Sequence, residues 1–224
     1  MKIGIEEQDL ARLLQENVAL SEQVTELQRR GTELIDEVRD LRAGRLGSGG
    51  GILTGSEIAE QVRRGRIEID PFDPKMINPA SVDLTLGEEV QVFAEPFLDV
   101  RKSHKTQVKE WHEGKMFLRP GFGYLMHTRE RIKTDHYVPV VDGKSSNGRL
   151  FIQIHQTAGY GDPGYDGQYT LEVTVTHPVV VYFGMRIAQM RFHTKVGSGP
   201  LYKGKYRGEK ARGAVPSAAH KEEQ

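Results

Sequence analysis

The sequence predicts a mainly β domain, a barrel or a sandwich, preceded by a coiled-coil helix. Three observations predict it. Leucines recur at seven-residue spacing near the N-terminus. A glycine-rich break, Gly44 to Gly51, follows them. From Ile67 onward, short runs of β-favouring residues are separated by Gly, Pro, Asp and Asn, the texture of an all-β domain.

The helix comes first. With Leu10 at heptad position a, Leu13, Leu20, Leu27, Leu34 and Leu41 fall at d. Position a holds Leu10, Asn17, Val24, Gly31 and Val38, and position g holds Asp9, Glu16, Gln23, Arg30 and Glu37. A helix docked on its own globular core carries a wider apolar stripe, so this seam predicts a coiled coil over residues 1–43. Asn17 fixes the register at a cost in stability, and Gly31 weakens the helix by about 1 kcal/mol. Residues 44–51 read as a flexible linker.

Residues 52–196 follow as the β domain. A short helix opens it, with Ser56 as N-cap, Ile58 and Val62 on one face, and an end near Gly65. Strands are expected at Ser81–Leu86, Glu89–Phe93, Tyr124–Met126, Phe151–Gln156, Tyr169–Thr176, Val179–Phe183 and Ile187–Phe192. Residues 197–224 are rich in Gly, Lys and Arg and are expected to form a lid and tail, mobile without a ligand.

Composition excludes several classes. Lys plus Arg and Asp plus Glu both number 31, so the formal net charge is zero. A global basic field for nucleic acid is therefore absent. There is no cysteine, which excludes disulfides and cysteine-ligated zinc. No apolar run approaches the ~18 residues of a membrane span. The opening MKIGIEEQDL lacks an apolar signal core, and the expected location is the cytoplasm.

Gly159-x-Gly161-x-x-Gly164 has the spacing of a dinucleotide fingerprint. Behind it, Tyr169, Leu171, Val173 and Val175 alternate with Thr170, Glu172, Thr174 and Thr176. That is a strand, whereas the fingerprint needs a helix. The glycines belong to a turn between strands. Gly143-Lys144-Ser145-Ser146 is likewise no complete phosphate loop, because Val138 stands where a glycine is required and Leu150–His155 reads as a strand. Lys144, Ser145, Ser146 and Arg149 still place two cations and two hydroxyls together. They suit phosphate oxygens, or else a solvated turn. Glu172, on the polar side of its strand, is either a solvated carboxylate or a base beside a bound ligand. His155, His177 and His193 match no zinc spacing. His220-x-Glu222 is half of a zinc-deaminase signature with no cysteine pair after it.

Several of these motifs fall together. Gly143-Lys144-Ser145-Ser146-Asn147-Gly148-Arg149-Leu150, His155-Gln156-Thr157-Ala158-Gly159, Asp162-Pro163-Gly164-Tyr165-x-Gly167 and Thr170-Leu171-Glu172 resemble the dCTP deaminase family of the trimeric dUTPase superfamily. So do Ile67–Pro74, Pro79–Leu84 and Leu86-Gly87 upstream, and Gly184–Gln189 and Lys205–Gly208 downstream. The resemblance spans roughly residues 52–217.

The resemblance implies a distorted jelly roll that trimerises, with active sites between subunits. It implies conversion of dCTP and water to dUTP and ammonia without zinc, with Mg2+ accompanying the triphosphate. By similarity Glu172 is the general base and acid, Ser145 positions the water, and Arg149 aligns Glu172 and a phosphate. Backbone groups of His155 and Ala158 read the base edge. Asp162 accepts from the sugar 3′-hydroxyl and Tyr165 packs on the deoxyribose. Lys144, Tyr202, Lys205 and Arg207 hold the triphosphate, with Ser146 and Gln189 among the substrate-binding set.

There are departures. Lys144 stands where many members have arginine, Glu209 replaces a usual glutamine, and Lys210-Ala211-Arg212 lengthens the tail. Gly159 after Ala158 resembles the bifunctional members, which also cleave dUTP to dUMP and pyrophosphate. Tyr165 and Arg186-Ile187-Ala188-Gln189 lean toward dUTPases, while Glu172 and the lack of a glycine-rich C-terminal motif lean away. The expected order is therefore a dCTP deaminase, then the bifunctional enzyme, then a pure dUTPase. A nucleotide-sensing scaffold with the coiled coil as its output is the non-enzymatic alternative. The partners expected are dCTP or dUTP and further copies of the chain, with the coiled coil adding oligomer contacts or a protein partner.

Overall fold

The structure, a computed structural model, describes residues 7–42 and 51–221. The expected linker lies outside the described residues except for Gly51. The chain divides into two compact units, one ending at Gly49 and the other beginning at Gly50.

The described part of the first unit is one helix, α1 (Glu7–Arg42), of 36 residues, which runs unbroken through Gly31. Arg29 bridges Glu26 at 2.7 Å and Glu33 at 2.5 Å, and Arg30 reaches Glu26 at 2.9 Å. These pairs at three- and four-residue spacing support the polar face. The heptad seam is open, with Leu20, Leu27 and Leu34 between 59% and 67% exposed.

The second unit opens with α2 (Gly55–Arg63). Its N-cap is Thr54, not Ser56: the Thr54 hydroxyl accepts from the Glu57 N–H at 3.4 Å. Ser56 only hydrogen-bonds the Thr54 hydroxyl. The helix buries Ile58 and Gln61, and the chain leaves it through Gly65 at φ 69°, as its sequence end signal requires.

The remainder is mainly β, in three antiparallel sheets. The largest joins β5 (Thr106–Lys109), β4 (Val90–Phe93), β7 (Tyr124–Lys133), β10 (Asp166–Val175) and β9 (Ile152–Gln153), with β1 (Glu68–Asp70) also on β7. A second sheet orders β2 (Ile77–Asn78), β3 (Ser81–Thr85), β12 (Arg186–Thr194) and β8 (Tyr137–Gly143). A third pairs β11 (Val179–Tyr182) with β6 (Lys115–Leu118). All three contribute to one apolar core that includes Leu84, Met126, Leu171, Val181 and Phe192. No sheet closes into a barrel among the described residues.

Two features position the site. Burial alternates along β10, with Gly167, Tyr169, Leu171, Val173 and Val175 buried and Gln168, Thr170, Glu172 and Thr174 toward the other, more open face, while the pairing with β7 shifts register between Gln168 and Thr170. The tail, expected to be mobile, packs along that other face. Gly213 N–H donates to Gln168 Oε1 at 2.8 Å and Val215 N–H to Thr170 Oγ1 at 3.1 Å. Ala211 and Ala214 are buried. Gly167 makes this approach possible, because a Cβ there would lie 2.3 Å from that of Ala211. The tail thus lies on its own chain.

Candidate active site

Glu172 sits where two clefts meet. The larger, about 1090 Å³, runs between β4, β6, β7 and β10 and is lined by Lys109, Lys115, Arg119, Phe122, Gln156 and Glu172. The smaller, about 470 Å³, lies under the tail and is lined by Ala158, Asp162, Tyr165, Tyr169, Glu172 and Tyr202 among others. The carboxylate is half-buried, and one oxygen accepts from the Gln156 N–H at 3.3 Å. The Gln156 side chain donates in turn to the Glu172 carbonyl at 3.3 Å and to the Thr174 hydroxyl at 3.1 Å. The carboxylate is thereby oriented from one side and open on the other.

The loop from His155 to Ala158 forms the adjoining wall. Thr157 holds φ at 122°, a conformation a β-branched residue rarely takes. Its N–H donates to His155 Nδ1 at 3.3 Å, and His155 Nε2 stands 3.7 Å from an Asp142 oxygen. The His155 ring therefore serves its own loop and lines neither cleft.

The turn from Asp162 to Tyr165 is tied down by Gly164, whose N–H donates to the Thr134 carbonyl at 2.7 Å. Gly164 has φ 89°, and the Leu201 Cβ lies 2.7 Å from where its own Cβ would be. Glycine is needed there both for the turn and for the tail to pass. Tyr165 donates to the Gln168 carbonyl at 2.6 Å, and its ring centroid lies 4.8 Å from that of Tyr169 and 6.1 Å from that of Tyr202. Burial, with Tyr202 and Asp166 nearby, pushes the Tyr165 phenol above its usual range.

Lys144, Ser145, Ser146, Arg149 and Gln189 gather elsewhere. Ser145–Gly148 is a one-turn helix, α3, where the sequence suggests only a turn before a strand. Ser145 and Ser146 on it, and Arg149 just after it, are exposed. Lys144 Nζ pairs at 2.5 Å with Asp83, whose side chain is only 1% exposed. Arg186 reaches the same carboxylate at 3.4 Å and Asn78 at 2.7 Å. Gln189 accepts from the Ser81 hydroxyl at 3.3 Å and donates to the Gly143 carbonyl at 3.2 Å. This group is a compact polar corner built around the buried Asp83 carboxylate.

Within one chain, Glu172, Ala158, Asp162, Tyr165 and Tyr202 share the smaller cleft, while the Lys144–Arg149 corner lines neither cleft that Glu172 lines. Lys205 donates to the Ala218 carbonyl at 3.0 Å and lies over the Tyr206 ring, and Arg207 is exposed. Neither lines a cleft. Sequence reasoning missed Asp83, Gln156 and Tyr169. Asp83 had a signal, a carboxylate inside the apolar run Val82–Leu84. Tyr169 had none, because it reads as an ordinary apolar position.

A family model described as dCTP deaminase-like matches residues 52–195. The chain belongs to that family. A Leptospira biflexa protein named dCTP deaminase, dUMP-forming, is 41% identical over 172 residues, covering 76% of this chain and 97% of that protein. A Clostridium beijerinckii protein of the same name is 41% identical over the same length, covering 98% of itself. Among solved structures, the 2′-deoxycytidine 5′-triphosphate deaminase of Agrobacterium tumefaciens aligns with a TM-score of 0.52 at 24% identity, over 65% of this chain and 49% of that one. That last likeness speaks for the fold alone. The family match leaves out α1, which begins at Glu7 and ends at Arg42.

Proposed function

We propose that the chain deaminates dCTP and carries the product on to dUMP and pyrophosphate. The observation that carries this is the Glu172 carboxylate, oriented by Gln156 at the junction of two clefts, beside an Asp162–Tyr165 turn suited to a deoxyribose. The dUMP-forming names of relatives near 41% identity favour the bifunctional enzyme over one that releases dUTP. Gly159 favours it as well.

The chemistry assigns each group a task. Water is too weak a nucleophile for C4 of cytosine until a base takes its proton. Glu172 takes that proton as oxygen bonds to C4 and passes it to N3. It then moves a second proton from the new hydroxyl to the amine. The C4–N bond breaks, a C4 carbonyl forms, and ammonia leaves. Backbone groups of His155 and Ala158 hold the base edge, Asp162 the sugar 3′-oxygen, and Tyr165 the sugar face. Tyr202 and the tail close the cleft against water.

Ser145 and Arg149 reach this chemistry from a second copy of the chain. Three observations support this. The pair is exposed at the two ends of α3, it lines neither cleft of its own chain, and the larger cleft beside Glu172 is open. A closed trimer would present each α3 corner to a neighbour's cleft. Lys144, Ser146 and Gln189 then hold the triphosphate there, with Lys205 and Arg207 from the tail. The α1 seams of three chains associate with one another.

Among the described residues no group of three or more His, Cys, Asp or Glu could hold a metal ion. Mg2+ would instead be carried in on the triphosphate, since it dehydrates reluctantly and is commonly held through phosphates. When bound, it neutralises phosphate charge.

Incubation with dCTP and magnesium, followed by product separation, tests the proposal. Equal yields of ammonia, dUMP and pyrophosphate are expected. Accumulating dUTP would indicate a deaminase alone, turnover of dUTP only a dUTPase, and binding without turnover a sensing module.

A further inference from the structure

Tyr169 is on the buried face of β10, yet its hydroxyl has no hydrogen-bond partner among the described residues. Buried polar atoms are almost always paired, so an orphaned one asks for a partner. The hydroxyl presses on the loop before Asp162, since a Cβ at Gly161 would lie 2.3 Å from it. Tyr169 lines the smaller cleft together with Gly161, Asp162 and Tyr165. Its ring is fixed against that of Tyr165, 4.8 Å between centroids. The ring is therefore held rigidly in the wall of the cleft assigned to the sugar, with its hydroxyl enclosed beside Gly161 and the turn to Asp162.

We propose that the Tyr169 hydroxyl donates to the 3′-oxygen of the bound deoxyribose, while the Asp162 carboxylate accepts from the same hydroxyl group. A sugar hydroxyl is both donor and acceptor. Asp162 alone satisfies only the first, and Tyr169 supplies the second. Burial, with Tyr165 and Asp162 nearby, pushes the Tyr169 phenol well above its ordinary value, so it remains protonated and able to donate. Together the two groups make a reader of the free 3′-hydroxyl. Such sites reject analogues lacking the hydroxyl, because their own buried groups are then left unpaired. This assignment rests on the deoxynucleotide reading of the cleft.

The test compares Glu172→Gln with Glu172→Gln/Tyr169→Phe, so that nucleotide binds without turnover. Calorimetric titration uses dCTP and 2′,3′-dideoxy-CTP with magnesium. The first protein should bind dCTP about tenfold more tightly than the dideoxy analogue. Adding Tyr169→Phe should weaken dCTP about tenfold and the analogue by less than twofold. Equal weakening of both nucleotides would reduce Tyr169 to packing and overturn the proposal. So would unchanged dCTP binding, or failure of both nucleotides to bind. Ammonia release by the unsubstituted protein reports separately on deamination. Its absence, with the binding pattern intact, would sink the deaminase proposal and leave the role of Tyr169 standing.

Discussion

Replacing Glu172 by glutamine isolates the proton-transfer role. The side chain keeps its length and shape. Its amide oxygen can still accept from the Gln156 N–H, now at 3.3 Å, and the Gln156 contacts to the Glu172 carbonyl and Thr174 are backbone or neighbour bonds that the change leaves alone. The residue is half-buried on a polar face, so the fold should lose little, within about 0.5 kcal/mol. What disappears is the ability to take a proton from water. General-base catalysis contributes about 10²- to 10⁴-fold, or about 3–5 kcal/mol of barrier. Because the same group is assigned to both proton transfers, the loss should lie at the upper end. Ammonia release measured by a coupled assay should fall at least about a thousandfold in kcat, while dCTP affinity changes by less than about tenfold. Undiminished ammonia release, or a defect confined to KM, would refute the assignment.

Other substitutions probe the frame around that carboxylate. Gly167→Ala should force the tail off β10, because the added Cβ would lie 2.3 Å from the Ala211 Cβ and 2.8 Å from its carbonyl oxygen. Limited proteolysis should then cut within residues 203–221, and kcat/KM for dCTP should fall. Leu171→Ala, at a fully buried position, should cost about 2–5 kcal/mol in denaturant unfolding. A chain shortened to begin at Gly51 should keep its deaminase rate. It should also stay trimeric by light scattering, since the second unit has its own core. A hexamer that reverts to a trimer on shortening would contradict a single three-stranded helix bundle.

Much of the frame was legible in residue pattern, and the exceptions have physical causes. The alternation around Glu172 marked β10 and put the carboxylate on the correct face. Strand β7 was expected at only three residues. Its continuation buries His127, Thr128 and Glu130, which look like turn residues until their partners are known: Thr85 supplies both its N–H and its hydroxyl to Glu130. Strand β8 was missed because Pro139 sits inside it. There the proline carbonyl still accepts from the Gly161 N–H at 2.8 Å. Strand β5 is mostly exposed and charged at its end, which hides its period. The Lys144–Arg149 cluster stood out by its motif, but Asp83, which pins Lys144, comes from a strand about sixty residues earlier in the chain. No local pattern announces a contact of that kind. The orphaned Tyr169 hydroxyl is likewise visible only in three dimensions.

The proposed site is completed between copies, with Glu172 from one chain and Arg149 from another. Glu172→Gln and Arg149→Ala chains should each be nearly inactive alone. Co-expressed in equal amounts, they should form mixed trimers in which about one site in four has both native residues, if each site draws on one neighbour in a closed ring. The mixture should therefore recover about a quarter of the native rate of ammonia release. A mixture as inactive as its components, with exchange of chains verified by mass spectrometry, would place both residues in a single chain's site and contradict the account.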